Sequence, residues 1–384
     1  MPNWNKNIGL LSLVIIVSLF SEKVYGIDHV TFRRGGTTTT VSGKTVVEAE
    51  DGGQMVMTAN GHYWLITAEE IIDSYSDEAT FKLYDSKELE KELLSEFSDK
   101  YRVTHTDHFV ICHNTTDHYA KWCGLLFESL YEEYYKLLGG KGLKVDDVET
   151  PMVVLLFNSK MEYERYSRAE LGDATDNIIG FYSQKTNRIA FYDLTGVDKE
   201  YLGKKVKFRT QIRHILKQPQ AERLVATLIH EATHQIILNS GLQKRYADIP
   251  LWIAEGLAVY FESPNMRKTN GWNTPGRVNR SRLIQFRQYG KNRPANSVET
   301  LIQNNTRCAN SETAADAYAE AWALTHYLFK KREKDFIPYL KELSKREPLV
   351  EYTKQERLDD FRKYFGDELD KFDKSFLRYV SRLR

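Results

Sequence analysis

The stretch PQAERLVATLIHEATHQIILNSGL, residues 219–242, constrains this chain more than any other. Leu224, Val225, Leu228, Ile229, Ile236, Ile237 and Leu238 are spread around a helix, so the segment has to run through a core. Pro219 near its first turn and Gly241 just past its last set the ends. Yet this core helix also carries His230, Glu231 and His234. Burying two imidazoles and a carboxylate without partners is strongly unfavourable, and a bound cation removes the difficulty. The competing reading is a pair of core histidines satisfied by ordinary hydrogen bonds.

Residues four apart share a helix face about one turn from each other, so His230 and His234 can point ring nitrogens at one metal ion. Glu231 lies about 100° around the helix from His230. There its carboxylate stands beside the metal, in place to hold and deprotonate water. This is the HExxH arrangement of zinc peptidases. A catalytic zinc site has three protein ligands and an open position. One class takes a histidine six residues after the second; that position is Ser240 here, and the glycine expected midway is Ile237, which excludes the class. The other source is a glutamate on the next helix, WIAEGLAVYFE, which offers Glu255 and Glu262. Two turns, about 10.5 Å along the axis, keep one metal from taking both easily. Glu255 sits in a run otherwise apolar from Leu251 to Phe261 and is the expected ligand, with Glu262, near the helix end, either supporting the ligands without binding the metal or lying at the surface.

HEATHQ and WIAEGLAVYFE, with 20 residues between His234 and Glu255, resemble the gluzincin clan of metallopeptidases. In that clan HExxH and a later glutamate in a W-x-x-E-G-x-A setting bind zinc, as in the aminopeptidase N relatives. The chain is similar, more closely, to an uncharacterised bacterial family of secreted gluzincin-like proteins. That likeness extends to GFYSQKTNRIAFYDLTG upstream and AYAEAWALTHYL downstream, roughly residues 90–330. It implies one zinc ion on His230, His234 and Glu255, with Glu231 as the base. The thermolysin variant, with an aspartate four residues after the third ligand, does not fit, since that position is Val259. An exopeptidase signature for gripping a free amino terminus is not evident. Tyr318, 63 residues after Glu255, is placed like the catalytic tyrosine of the aminopeptidase relatives, an oxyanion donor, with a packing role as the alternative. His326 is a second candidate donor.

The rest of the chain frames this site. Lys6 precedes the 13-residue apolar run IGLLSLVIIVSLF, too short to cross a bilayer comfortably at about 1.5 Å per residue. Residues 1–26 therefore read as an export signal cleaved after Gly26, an uncleaved anchor being the competing reading. Cleavage removes Lys6, Lys23 and Glu22 and takes the formal charge from +1 to 0, leaving no field for nucleic acid or an anionic membrane. No later stretch is long and apolar enough to span a bilayer.

The fold class is α+β. Residues 27–85 form a small β-rich domain, a meander with a hairpin at Asn60-Gly61. Residues 86–384 form the gluzincin-like domain, α/β over 86–215 and helical over 216–384. Within it, residues 86–101 read as a helix and YRVTHTDHFVICHN as a strand. A long helix follows, capped by Thr115 or Thr116 and ended by Gly139 and Gly140. TPMVVLLFN reads as a buried strand and residues 180–194 as a hairpin turning at Lys185 to Asn187. Together these suggest a mixed sheet carrying a helix; an edge strand along which substrate could lie is implied by the resemblance more than by periodicity. The basic run at 204–217 reads as a solvated helix face, 265–300 as polar loop, and the chain from Ala314 as helical.

Three cysteines leave at least one unpaired; Cys112 and Cys123 are either a disulfide or two buried thiols. Sequons at Asn114, Asn279 and Asn304 matter only in a glycosylating pathway. His105, His108, Cys112, His113, His118 and Cys123 match no compact zinc motif, and strand alternation sends His105 and His108 to opposite faces. The expected function is a secreted zinc-dependent peptidase acting on a peptide or protein substrate. The alternative is a non-catalytic, metal-stabilised binding or scaffold protein of the cell envelope, which needs the ligands but not Glu231.

Overall fold

A computed structural model of the protein describes residues 26–143 and 145–384. Nearly all of the expected export signal lies outside the described residues. No helix among them is long and apolar enough to cross a membrane. The described chain divides into two compact units, one up to Val56 with Leu65–Lys82, the other Met57–Trp64 with Leu83–Arg384.

The N-terminal sheet is an antiparallel meander whose last strand returns to pair with its first. Its strands are β1 (Asp28–Arg34), β2 (Thr37–Glu48), β3 (Gln54–Thr58), β4 (Tyr63–Ile66) and β5 (Ile71–Ser76), in the order β4-β3-β2-β1-β5. Gly35 and Gly36 turn β1 into β2 at φ +56° and +81°, and Gly61 turns β3 into β4 at +79°, angles that favour glycine. Val30, Phe32, Val41 and Met55 supply the small core.

After the sheet the second unit continues with α1 (Ser86–Glu96), whose N-cap Asp85 and Glu88 form a reciprocal capping box. The segment expected as one strand is a hairpin, β6 (Arg102–His105) and β7 (Phe109–His113). The turn at 106–108 breaks the alternation, so His105 and His108 are parted by the bend: His105 pairs with Glu90 and His108 with Glu128. Then come α2 (Asp117–Gly139, capped by Thr116), β8 (Met152–Phe157), α3 (Lys160–Leu171), β9 (Gly180–Ser183) and β10 (Arg188–Tyr192). The sheet order is β6-β7-β8-β10-β9, with β7, β8 and β10 parallel and antiparallel strands on both edges. Alternate residues of β8 and β10 face opposite ways: Val154, Leu156 and Ile189 join α2 and the helical half, while Leu155, Phe157 and Ala190 join α1 and α3.

Cys112 and Cys123 fall on opposite faces of this sheet, and all three cysteines are buried free thiols. Asn114 and Asn279 are also buried, their amides bonded to Glu162 and to the Glu262 carbonyl, so neither sequon presents its nitrogen in the folded chain.

Short α4 (Val197–Tyr201) leads to α5 (Phe208–Leu216), which buries Ile212, Ile215 and Leu216 while Arg209 and Arg213 face solvent. After it run α6 (Ala221–Asn239) and α7 (Leu251–Phe261). The expected polar loop contains α8 (Arg280–Tyr289) and α9 (Ser297–Gln303), because Asn279 caps a first turn and Leu283 and Phe286 find a core. The helical end comprises α10 (Thr306–Ala309), α11 (Ala314–Lys331), α12 (Glu333–Leu343), α13 (Lys354–Phe365) and α14 (Leu369–Ser381).

Gly256 lets α7 and α11 touch. A Cβ there would stand 2.3 Å from Thr325 Oγ1 and 2.9 Å from the Ala321 carbonyl. Gly256→Ala is expected to destabilise the chain by about 2–3 kcal/mol in urea unfolding, the usual scale of overpacking. A loss below about 0.5 kcal/mol would show that the helices part freely.

Buried histidines set an acid limit. Burial pulls His113 and His326 down to about 4 each, so both are neutral in the fold but titrate ordinarily when unfolded. Their contribution is complete above about pH 6.5 and is lost as pH falls toward 4, by about 2 kcal/mol each at pH 5. Denaturant melts at pH 7 and pH 5 should show that drop, and His113→Asn should remove its share of the difference.

Candidate metal centre

Helix α6 is held where it is by its own next residue. Gln235 sends its amide nitrogen into the sheet, to the carbonyls of Val153 at 3.1 Å and Asn187 at 2.8 Å, while Leu228, Ile229, Ala232 and Ile236 pack as core. This leaves His230 and His234 on a face that looks toward α7, each side chain little more than a tenth exposed. Helix α7 starts at Pro250 and crosses α11 at Gly256, which brings the preceding residue, Glu255, opposite the two imidazoles.

The three side chains converge. His230 Nε2 lies 3.2 Å from His234 Nε2 and 3.1 Å from Glu255 Oε2, and His234 Nε2 lies 3.6 Å from the same oxygen. Zinc bonds of about 2.0–2.1 Å in a tetrahedron place ligand atoms about 3.3 Å apart, so the three atoms have the spacing of one tetrahedral face. His230, His234 and Glu255 thus form a cluster that could bind a metal ion. Two ring nitrogens at 3.2 Å repel if both present lone pairs, and a shared cation resolves the conflict. The electrostatics point the same way. Burial lowers the His230 pKa, but hydrogen bonds to Glu255 and Glu262 and the nearby Glu231 more than reverse this and lift it to about 10. Burial opposes ionisation of Glu255, yet the two imidazoles hold its carboxyl well below the usual carboxylate range. The site demands positive charge.

Glu262 takes the other edge of the same ring. It caps the end of α7, and its Oε2 lies 3.2 Å from His230 Nδ1. With Nδ1–H donating there, Nε2 keeps its lone pair for a metal. Of the two places expected for Glu262, the structure shows the one in support of a ligand and not the surface. Asn279, the N-cap of the unforeseen α8, secures Glu262, its Nδ2 donating to the Glu262 carbonyl at 2.8 Å, while Arg282 only brushes the carboxylate at 3.4 Å. Glu262→Ala is expected to weaken metal affinity by roughly 10- to 100-fold, read by competition with a chromophoric chelator. Unchanged affinity would mean that the ring needs no such support.

Glu231 is not in the ligand cluster. Its Oε2 accepts the Tyr182 backbone N–H at 3.0 Å, from β9 on the sheet edge. Burial raises its pKa above the ordinary carboxylate value, against the pull of both imidazoles and that N–H. By strand alternation Gly180, like Tyr182, turns its main-chain groups away from β10, and Gly180 lines the cavity in front of the site. That cavity measures about 380 Å³ and is also lined by His230, Glu231, Glu262 and Tyr318. The Tyr318 ring stacks on His230 at 6.4 Å, and burial with the Glu255 carboxylate beside it keeps the phenol protonated. His326 turns elsewhere: its Nδ1 meets the Tyr379 hydroxyl at 2.7 Å and its ring packs on Tyr260, so it is not a donor to this site. The role of Tyr182 was invisible in the sequence because it is played by a backbone N–H.

A family model described as "Protein of unknown function (DUF1570)" matches residues 224–350, which take in both histidines, Glu255, Glu262, Arg282 and Tyr318. No curated protein matches the chain.

Proposed function

We propose that the chain is an exported zinc-dependent peptidase of the gluzincin type. The observation that carries this reading is Glu231: a buried carboxylate beside three ligand side chains, aimed by a backbone N–H and opening on a cavity, yet outside the ligand set. A scaffold has no use for such a group. A zinc ion on His230, His234 and Glu255 would supply Lewis-acid polarisation of a peptide carbonyl and acidify a water molecule. Glu231 takes the proton of the attacking water as its oxygen bonds to the carbonyl carbon. Glu231 then passes that proton to the departing amine as the C–N bond breaks. Tyr182 N–H keeps the carboxylate aimed meanwhile. Tyr318 lines the same cavity, with its hydroxyl beside Glu255, and its O–H donates to the developing oxyanion. Gly180 on the edge of β9 offers main-chain groups along which an extended substrate can lie.

The test is metal analysis of the purified chain with digestion of a broad peptide library. Stoichiometric zinc and defined cleavage products that vanish on chelation support the peptidase. Zinc without any cleavage supports the envelope scaffold.

A further inference from the structure

The proposed mechanism leaves two arginines of the cavity unused, Arg223 of α6 and Arg282 of α8. Arg282 is fixed in place at its main chain, since its N–H donates to Asn279 Oδ1 at 3.2 Å and Asn279 is itself tied to the end of α7. Its guanidinium stands 5.8 Å from the centre of the Tyr318 ring. It touches Glu262 through one terminal nitrogen at 3.4 and 3.5 Å, the outer limit of a hydrogen bond. A guanidinium has five donors, and this side chain lines the cavity and remains 27% exposed. The carboxylates lining the cavity are engaged already, Glu231 with Tyr182 N–H and Glu262 with His230.

We propose that Arg282, with Arg223 lining the same cavity, receives a carboxylate of the substrate. This rests on the peptidase reading above. The contacts from Arg282 through Glu262 to His230 keep it within about three extended residues of the ligand cluster. The anchored group is therefore an acidic side chain close to the scissile bond or the free carboxyl end of a short peptide. An Arg–carboxylate fork is directional, and its loss is expected to discriminate by on the order of 100-fold.

The test uses the full zinc-loaded chain carrying Glu231→Gln, which binds without turning over. Its affinity is measured by fluorescence anisotropy for N-acetylated, dye-labelled peptides in matched pairs. One pair has a free or amidated carboxyl end, the other an internal Glu or Gln. At least tenfold tighter binding of the carboxylate member, erased by Arg282→Gln and partly kept by Arg282→Lys at unchanged zinc content, is the expected result. Which pair shows the preference identifies the source of the carboxylate. Equal binding within both pairs overturns the proposal, as does an Arg282→Gln variant that weakens every peptide alike. Cleavage by the wild type without a carboxylate preference sinks the anchor and spares the peptidase. Carboxylate-selective binding with no cleavage does the reverse.

Discussion

Glu231→Gln is expected to leave zinc in place and to cut peptide turnover by on the order of 10⁴-fold, the upper range for removal of a general base. The substitution isolates proton transfer. A glutamine keeps an oxygen to accept the Tyr182 N–H, now 3.0 Å from Glu231 Oε2, so the side chain stays aimed. Its amide cannot take the proton of the attacking water. None of the three candidate ligands is altered, and metal stoichiometry and melting temperature should match the wild type. Glu231→Asp is a useful companion: it retains the acid but is one methylene too short to meet both Tyr182 and the cavity, so a partial loss is expected. If the glutamine variant kept more than about 1% of wild-type turnover, Glu231 would not be the base.

The helix from Ala221 and the punctuation around α7 were legible because apolar periodicity and proline boundaries are local signals, whereas the α+β arrangement rested more on resemblance than on periodicity. Helix α8 was not: of its ten residues only Leu283 and Phe286 are fully buried, and three arginines hide the pattern. Asn279 and Arg282 were lost with it. The hairpin of β6 and β7 was missed because its turn, Thr106 to His108, lacks glycine and proline and closes through side-chain bonds such as Thr106 Oγ1 to the Phe109 N–H. The two glutamates of α7 show another limit. Seven residues apart, they were expected not to share one metal easily, and whether Glu262 supported the site or lay at the surface stayed open; the His230 ring, whose nitrogens face opposite ways, spans most of the gap between them. His326 fails for a geometric reason, since eight residues beyond Tyr318 is about 80° around the helix and two turns further on.

Glu255→Gln is expected to lower zinc affinity by on the order of 10³-fold or more, since it removes the one anionic member of a three-ligand set. Its oxygen stands 3.1 Å from His230 Nε2 and 3.6 Å from His234 Nε2, and the negative charge there is what the imidazoles answer to. A glutamine offers a weaker neutral oxygen, and its NH₂, if turned inward, points hydrogens at the place a cation must occupy. Thermal melts read the effect directly. Zinc at a thousandfold excess over its dissociation constant stabilises the native chain by about 4 kcal/mol, a shift of several degrees, and the variant should show none at that concentration. Glu262→Gln is the decisive companion. It keeps an oxygen to accept the His230 Nδ1–H and lies on the far edge of the ring, so it should retain most of the zinc shift. If the two variants exchanged behaviour, the third ligand would be Glu262, and Glu255 would be the residue that orients the ring. If neither lost the shift, zinc would be bound somewhere other than between α6 and α7.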